Sequence, residues 1–338
     1  MDNKEVVLRA IYFEDPPRLP YSVSLHPDLM TKLTRHFKNK MPKMSDVLVL
    51  EPSSFTEGKP PAKTQDGRWV DEWGVLRNPR VPGTIDWFEN IPIARYEDLD
   101  NYQFPDPEAP WRFEFFEKAL KELGGNYCLF GGIGWLLWER AWILRGMKNL
   151  ILDMYKNPAF VDKLMDRIME YDIKLAKQVV EREIDVFYVG DDYGSSLGPL
   201  ISPHLWRRFI KPRLRQILRV PLRKGLPVAM HSDGNIEAIV PDLIEVGVRV
   251  LNPVTPPEMD PFKLRQLYTD NLCIWGAART YDILPFGKPK DVEDDVRRAV
   301  KGLWMRGGLI YHARLETPET PLENIMAVLN TVSNIELP

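Results

Sequence analysis

The segment "VAMHSDGNIEAIV", residues 228–240, decides how the chain folds. An apolar run, Val228-Ala229-Met230, ends in His231-Ser232-Asp233-Gly234-Asn235, and Ile236 then opens a stretch of helical period. A short all-apolar strand, a polar turn and a helix make one unit of a parallel α/β fold. At strand spacing, residues i and i+2 point the same way, so His231 and Asp233 can face one pocket. The same letters also make an ordinary turn, with Asp233-Gly234 as turn chemistry and Asn235 as a helix cap. The neighbouring units decide between the two.

Working outward, "DVFYVGDD" (185–192) precedes this unit, and "VRVLNPV" (248–254), "LCIWGAA" (272–278) and "GLIYHAR" (308–314) follow it, each leading into a helical stretch. Towards the N-terminus come "RLPYSVSL" (18–25), "DVLVLEP" (46–52) and "YCLFGGIGW" (127–135), which brings the apolar runs to eight. Eight strand–helix units predict an α/β fold of (β/α)8 TIM-barrel type, one domain over residues 1–338. An irregular insertion at about 53–110 follows the second strand, with a hairpin expected around Asp66-Gly67 and Gly74.

In such a barrel the active site lies at the C-terminal ends of the strands. The rim residues read from the pattern are Asp46 (at the start of its strand), Gly131 to Trp135, Asp191-Asp192-Tyr193, His231-Ser232-Asp233, Asn252, Gly276 to Arg279, and His312 to Arg314. Turns do not need two of the five histidines on one rim together with aspartates and arginines. Glu139 is a weaker pocket candidate. Trp138, Trp142, Tyr188 and Tyr311 read mainly as core, because aromatics are core residues by default.

Composition limits the partners. A net charge of −3 makes no general case for nucleic acid. The basic run "WRRFIKPRLRQILR" (206–219) has apolar residues at helical spacing and reads as a solvated helix face. Two cysteines make no disulfide framework. The stretch "MDNKEVVLRAIYFEDPP" lacks an apolar leader core, and no run of about 18 apolar residues is present, so neither signal peptide nor membrane span is expected. The expected location is the cytoplasm.

These residues, with longer pieces around them, resemble the uroporphyrinogen decarboxylase superfamily. The matching pieces are "DEWGVLRN", "YEDLDNYQFPDP", "LRGMKNLILDMYKNPAFVDKLMD", "GDDYGSSLGPLISPHLWRRFIKPRLRQI", "HSDGNI", "GVRVLNPV" and "ETPLENI", in order over about residues 10–330. The resemblance implies a (β/α)8 barrel, in agreement with the strand count. True decarboxylases of the family grip an acidic tetrapyrrole through an Arg-x-x-Gly-Arg-type motif, which "YSVSLHPDLMTKLTRHFKNK" lacks. "MSDVLVL" (44–50) does resemble the segment holding their pyrrole-binding aspartate, which keeps Asp46 as a candidate for that chemistry.

The other branch comprises corrinoid-dependent methyltransferases. Its thiol-alkylating members carry zinc on a His-x-Cys pair at the fifth strand and a cysteine near the eighth. Here Asp233 stands where the first cysteine is expected and Arg314 falls near the second, while Cys128 and Cys273 lie on other strands. What remains is a nitrogen and oxygen set: His231, Asp233 and Glu316 as metal ligands, with His312, Asp191 or Asp192 in reach. Such a set could hold zinc or work without metal as an acid/base site.

The resemblance thus implies a methyltransferase that moves a methyl group from a methoxylated small molecule to the cobalamin of a separate corrinoid protein. A methyl ether needs a proton donor or Lewis acid on the leaving oxygen. His231, Asp192 and His312 are the expected catalytic residues, with Asp192 favoured over its neighbour as the one facing the pocket. Trp135, Asp191, Tyr193, Asn252, Arg279 and Arg314 are the expected substrate contacts, the arginines for a substrate carboxylate. A homodimer is a candidate assembly. The competing readings are decarboxylation of a tetrapyrrole and a barrel that binds a tetrapyrrole or corrinoid without turnover.

Overall fold

The computed structural model describes residues 2–38, 40–52, 65, 67–78 and 87–338. Eight parallel strands form the predicted barrel: β1 (Tyr21–Leu25), β2 (Val47–Leu50), β3 (Cys128–Ile133), β4 (Val186–Gly190), β5 (Val228–His231), β6 (Val248–Val254), β7 (Cys273–Ala277) and β8 (Leu309–Leu315). They are hydrogen-bonded in the order β1-β8-β7-β6-β5-β4-β3-β2. At the seam, Val23 N–H donates to Met44 O and Asp46 N–H to Tyr21 O, both at 2.8 Å, so the segment before β2 draws the last two strands together. Every residue of β3 and of β7 is buried, as strands covered on both faces require.

The helix Asn3–Tyr12 is absent from the expectations above. Asp2 caps it, its carboxylate accepting the Glu5 N–H at 2.8 Å, a contact worth about 1 kcal/mol. Val7 and Ile11 are fully buried in one apolar cluster with Val47, Cys128, Phe130, Val186, Ala229, Val250, Cys273, Trp275 and Ile310. Several of these begin their strands, so the helix closes the N-terminal end of the barrel. Each of its two plugging side chains contributes ~1.5–3 kcal/mol of apolar burial.

That end also holds Asp46. Its carboxylate is buried among Arg18 at 2.7 Å, Lys43, and the Tyr21 N–H at 3.0 Å. It precedes β2, so the strand carries it away from the C-terminal rim. The expectation that Asp46 serves the active site is corrected: it anchors the floor and the seam. Cys128 and Cys273 start their strands here as well, and burial pushes both thiols up, the second to about 12.

The insertion forms a small antiparallel sheet from residues Trp69–Val70, Leu76–Asn78 and Trp87–Phe88. Its first turn is the expected hairpin, with Gly74 at φ 71°. Asp66 and the insertion segments 53–64 and 79–86 lie outside the described residues. Trp73, from the hairpin turn, is buried edge-on against Tyr171 at 4.7 Å and Phe104 at 5.7 Å. It lies against the helix Pro158–Val180, so the insertion adds a wall above the rim of the barrel. Among the described residues, no helix is long and apolar enough to cross a membrane.

Candidate functional site

The loops leaving β4 and β5 are stitched together. Asn235 N–H donates to Ser195 O at 2.7 Å, Asp233 N–H to Asp192 Oδ1 at 2.8 Å, and Tyr193 N–H to Ser232 Oγ at 2.9 Å. The crossing is tight: a Cβ on Gly194 would sit 2.5 Å from Asp233 O, and Gly234 has φ 78°, where side chains are strained. The stitching gathers Asp192, His231 and Asp233, whose candidate ligand atoms all lie within 4.8 Å of one another. His231 Nε2 is 3.8 Å from Asp192 Oδ1 and 3.9 Å from Asp233 Oδ1. Both separations are too long for hydrogen bonds, so Nε2 stands open towards the cavity.

A polar chain runs sideways from His231. Its Nδ1 is 2.8 Å from Asn252 Oδ1, while Asn252 Nδ2 donates to Trp275 O at 3.2 Å and meets His312 Nδ1 at 3.0 Å. Because a backbone carbonyl can only accept, the amide nitrogen must face Trp275 and the amide oxygen must face His231. His231 therefore carries its proton on Nδ1 and keeps the Nε2 lone pair for the cavity. His312 receives on Nδ1 and offers Nε2–H to Ser24 Oγ at 3.2 Å. Burial, with the Arg314 charge adding to it, pulls His312 down to about 3.

The cavity beside Nε2 has a volume of about 510 Å³, within the range of small-molecule sites. Two carboxyl groups on its wall are held above their ordinary range. Glu51, directly after β2, is raised by desolvation, with His231 opposing. Glu139 is pushed up to about 9 by burial, with Asp191 and Asp192 adding like charge. Asp191 itself is fully buried and caps the helix Leu137–Arg145, accepting the N–H groups of Trp138 and Glu139 at 2.8 and 2.7 Å. Burial pushes Asp191 up, and those two donors hold it back.

The opposite wall is aromatic and cationic. Trp135, at φ 50° and partly exposed, lies between two guanidinium groups, 4.3 Å from Arg77 and 5.7 Å from Arg140. Arg77 Nε pairs with Asp71 at 2.7 Å, and Arg112 pairs with Glu72. Arg140 stacks 4.0 Å over Trp73, but among the described residues its side chain makes no hydrogen bond or ion pair. Cation–π contact returns about 0.5–2 kcal/mol to a guanidinium. Taking an ion out of water costs several kcal/mol, so stacking alone does not balance Arg140.

The expected site residues separate into groups. His231, Asp192 and Trp135 line the cavity, and Asp233 joins the ligand cluster. Asn252 is one step removed, holding His231. His312 is neutral and two steps away, so the expectation that it protonates a leaving group is corrected: it positions Asn252. Asp191 faces backbone, and Tyr193 is buried against Trp206 at 5.6 Å; neither lines the cavity.

Both arginines expected to hold a substrate carboxylate are engaged elsewhere. Arg279 pairs with Asp282 and lines a separate cleft with Pro256 and Tyr281. Arg314 lies between Asp233 and Glu316, at 2.5 Å from each. Glu316 thus answers a guanidinium, and Asp192 stands in the ligand cluster in its place. Glu51, Arg140 and Asp172 line the cavity without having been expected. Glu51 could have been found, since it ends a strand as Asp191 does. Arg140 and Asp172 sit inside helices, where a charged residue reads as solvent-facing.

The cluster offers one imidazole nitrogen and two carboxylates. That set suits a divalent ion accepting nitrogen and oxygen ligands, zinc among them. Arg314, paired with Asp233, opposes a cation there.

Comparison with known proteins gives three findings. The family model described as uroporphyrinogen decarboxylase (URO-D) matches residues 81–335. A methylated-thiol–coenzyme M methyltransferase from Methanosarcina mazei is 24% identical over 203 residues, which cover 58% of this chain and 50% of that protein. The match therefore spans about half the length of that relative. A solved structure of a methyltransferase from Methanosarcina mazei superposes with a TM-score of 0.74 at 18% identity, covering 98% of both chains, which shows likeness of fold.

Proposed function

The chain belongs to the uroporphyrinogen decarboxylase family, and on that premise we propose that it is the substrate-side methyltransferase of a corrinoid system. It takes a methyl group from a methoxylated aromatic compound and passes it to the cobalamin of a separate corrinoid protein. One observation carries this reading: a single cavity joins the indole of Trp135 to the His231–Asp192–Asp233 cluster. An aromatic ring fits the first and an ether oxygen the second. The thiol-free cluster suits an oxygen leaving group, since both cysteines are sealed at the far end of the barrel.

The alternative of tetrapyrrole decarboxylation is less well served. Its substrate carries several carboxylates, each needing a cation. Arg77, Arg112 and Arg314 are already paired with carboxylates of the chain, and Asp46 is on the floor.

In the proposed reaction the methyl C–O bond breaks and its electron pair stays on oxygen. The partner's reduced corrinoid would supply the nucleophile that takes the methyl group. Trp135 stacks the ring. Asn252 fixes the tautomer that aims His231 Nε2 at the leaving oxygen. A divalent ion held by His231, Asp192 and Asp233 would supply Lewis acidity there. The Glu139 carboxyl, protonated at neutral pH, gives the proton that turns the phenolate into a phenol.

The test mixes the protein with chemically reduced cobalamin and a panel of methoxylated benzoates. Loss of the cob(I)alamin absorbance together with release of the matching phenol is expected. No demethylation of any panel member, with turnover of uroporphyrinogen instead, overturns the reading.

A further inference from the structure

Six arginines are buried among the described residues: Arg77, Arg112, Arg140, Arg145, Arg213 and Arg265. Five have their charge answered. Arg77, Arg112, Arg145 and Arg213 pair with carboxylates, and Arg265 donates to backbone carbonyls. Arg140 alone has no answer. It is 8% exposed, lines the cavity, and its Nη1 is buried with no partner.

Asp172 lies on the same wall, from the helix Pro158–Val180. It is 3% exposed, and its Oδ2 is also buried without a partner. The two groups sense each other's charge but form no hydrogen bond. Burial, opposed by Arg140, pushes the Asp172 carboxyl well above its ordinary value, which favours its neutral form. Both residues line the cavity, so the wall sets guanidinium N–H donors beside a carboxyl O–H donor. A neutral apolar ligand would leave these donors unsatisfied, at the full cost of their desolvation.

From this pair of orphaned groups we infer that Arg140 and Asp172 form the acceptor for a carboxylate on the substrate. The methyl donor is then an aromatic acid with an ether at its other end. The carboxylate takes N–H donors from Arg140 and the O–H of Asp172, its ring lies along Trp135, and the ether oxygen meets His231. The substrate class rests on the methyltransferase reading above; the carboxylate site itself does not.

Titration calorimetry on the full chain tests the site with two probes of nearly equal shape, 4-methoxybenzoate and 4-methoxybenzamide. The wild type is expected to bind the acid about 100-fold more tightly than the amide, the range for pairing a buried, hydrogen-bonded charge. Arg140→Met is expected to lose that preference and bind acid and amide alike, and Arg140→Lys to restore part of it. Melting curves give a second readout: the acid raises the wild-type Tm and leaves that of Arg140→Met unmoved.

Equal binding of acid and amide by the wild type, or no binding of either, overturns the site. So does a preference for the acid that survives Arg140→Met. The two proposals fail separately. Acid binding through Arg140 without demethylation keeps the site and removes the methyltransferase. Demethylation of 4-methoxybenzamide as readily as of the acid keeps the methyltransferase and removes the site.

Discussion

Asn252 Oδ1 lies 2.8 Å from His231 Nδ1, and this contact decides which imidazole nitrogen faces the cavity. The two residues are register partners on β6 and β5, so the backbone ladder sets their separation. Asn252→Leu removes the acceptor and leaves Nδ1–H without a partner. We expect kcat to fall ~10–100-fold, as for loss of an outer partner of a working histidine, with KM little changed. Nitrogen NMR of labelled histidine checks the cause: His231 should be one tautomer in the wild type and a mixture in the variant.

His312 gives the protein a pH dependence of known sign. Its pKa is about 3 folded, against 6.5 for an ordinary histidine. Between those values the unfolded chain binds the proton and the native chain does not. Stability therefore falls as pH drops from 6.5 towards 3, by up to ~1.4 kcal/mol per pH unit for one proton. Above 6.5 this contribution is complete. His312→Gln removes the titration, so denaturant melts from pH 7 down to 4 should show a shallower acid loss than wild type. Parallel curves would show that His312 titrates normally in the native protein.

Glu139 is expected to matter most when the leaving oxygen is most basic. Glu139→Gln should slow demethylation of an alkoxy-substituted ether ~100-fold or more, a usual loss for a general acid. With a nitrophenyl methyl ether, whose phenolate leaves without a proton, the loss should shrink below about tenfold. Rates measured across a series of ring substituents check this through the slope against phenol acidity. An equal loss across the series would make Glu139 a binding residue.

The ligand cluster makes a compositional prediction. Elemental analysis should find one equivalent of divalent metal, absent from His231→Ala and Asp192→Ala. Glu316→Ala should retain it, because Glu316 faces Arg314. Arg314→Met should bind the metal more tightly, since it removes the cation from Asp233. Metal-free wild type after incubation with zinc would leave His231 to act by proton transfer alone.

Most of the barrel was legible because parallel strands buried on both faces must be short apolar runs, a pattern plain in β3 and β7 and looser in β1, where Ser22 and Ser24 interrupt it. The stitch between the β4 and β5 loops was legible only as glycines at turns. The N-terminal helix carried the signal, with Val6, Val7, Ala10 and Ile11 on one face, but nothing local says that a face will enter a barrel. Asp46 was misplaced because a residue before a parallel strand lies at the opposite end from one after it. The arginines were the hardest. Arg279 and Arg314 sit at strand ends and look available, yet carboxylates distant in the chain or in the next loop take them. Arg140 sits in a helix of ordinary appearance, and only the fold shows that, among the described residues, no carboxylate pairs with it.

With Val7 and Ile11 seated in its base, the barrel is a blind well, open only at its rim. Whatever enters must leave by the same mouth. In the proposed reaction a small donor would have to settle before a bulky acceptor covers the opening, and the demethylated product would stay trapped until that acceptor lifts away. Turnover would then run in strict order, first in and last out, with the departure of the larger partner as its clock.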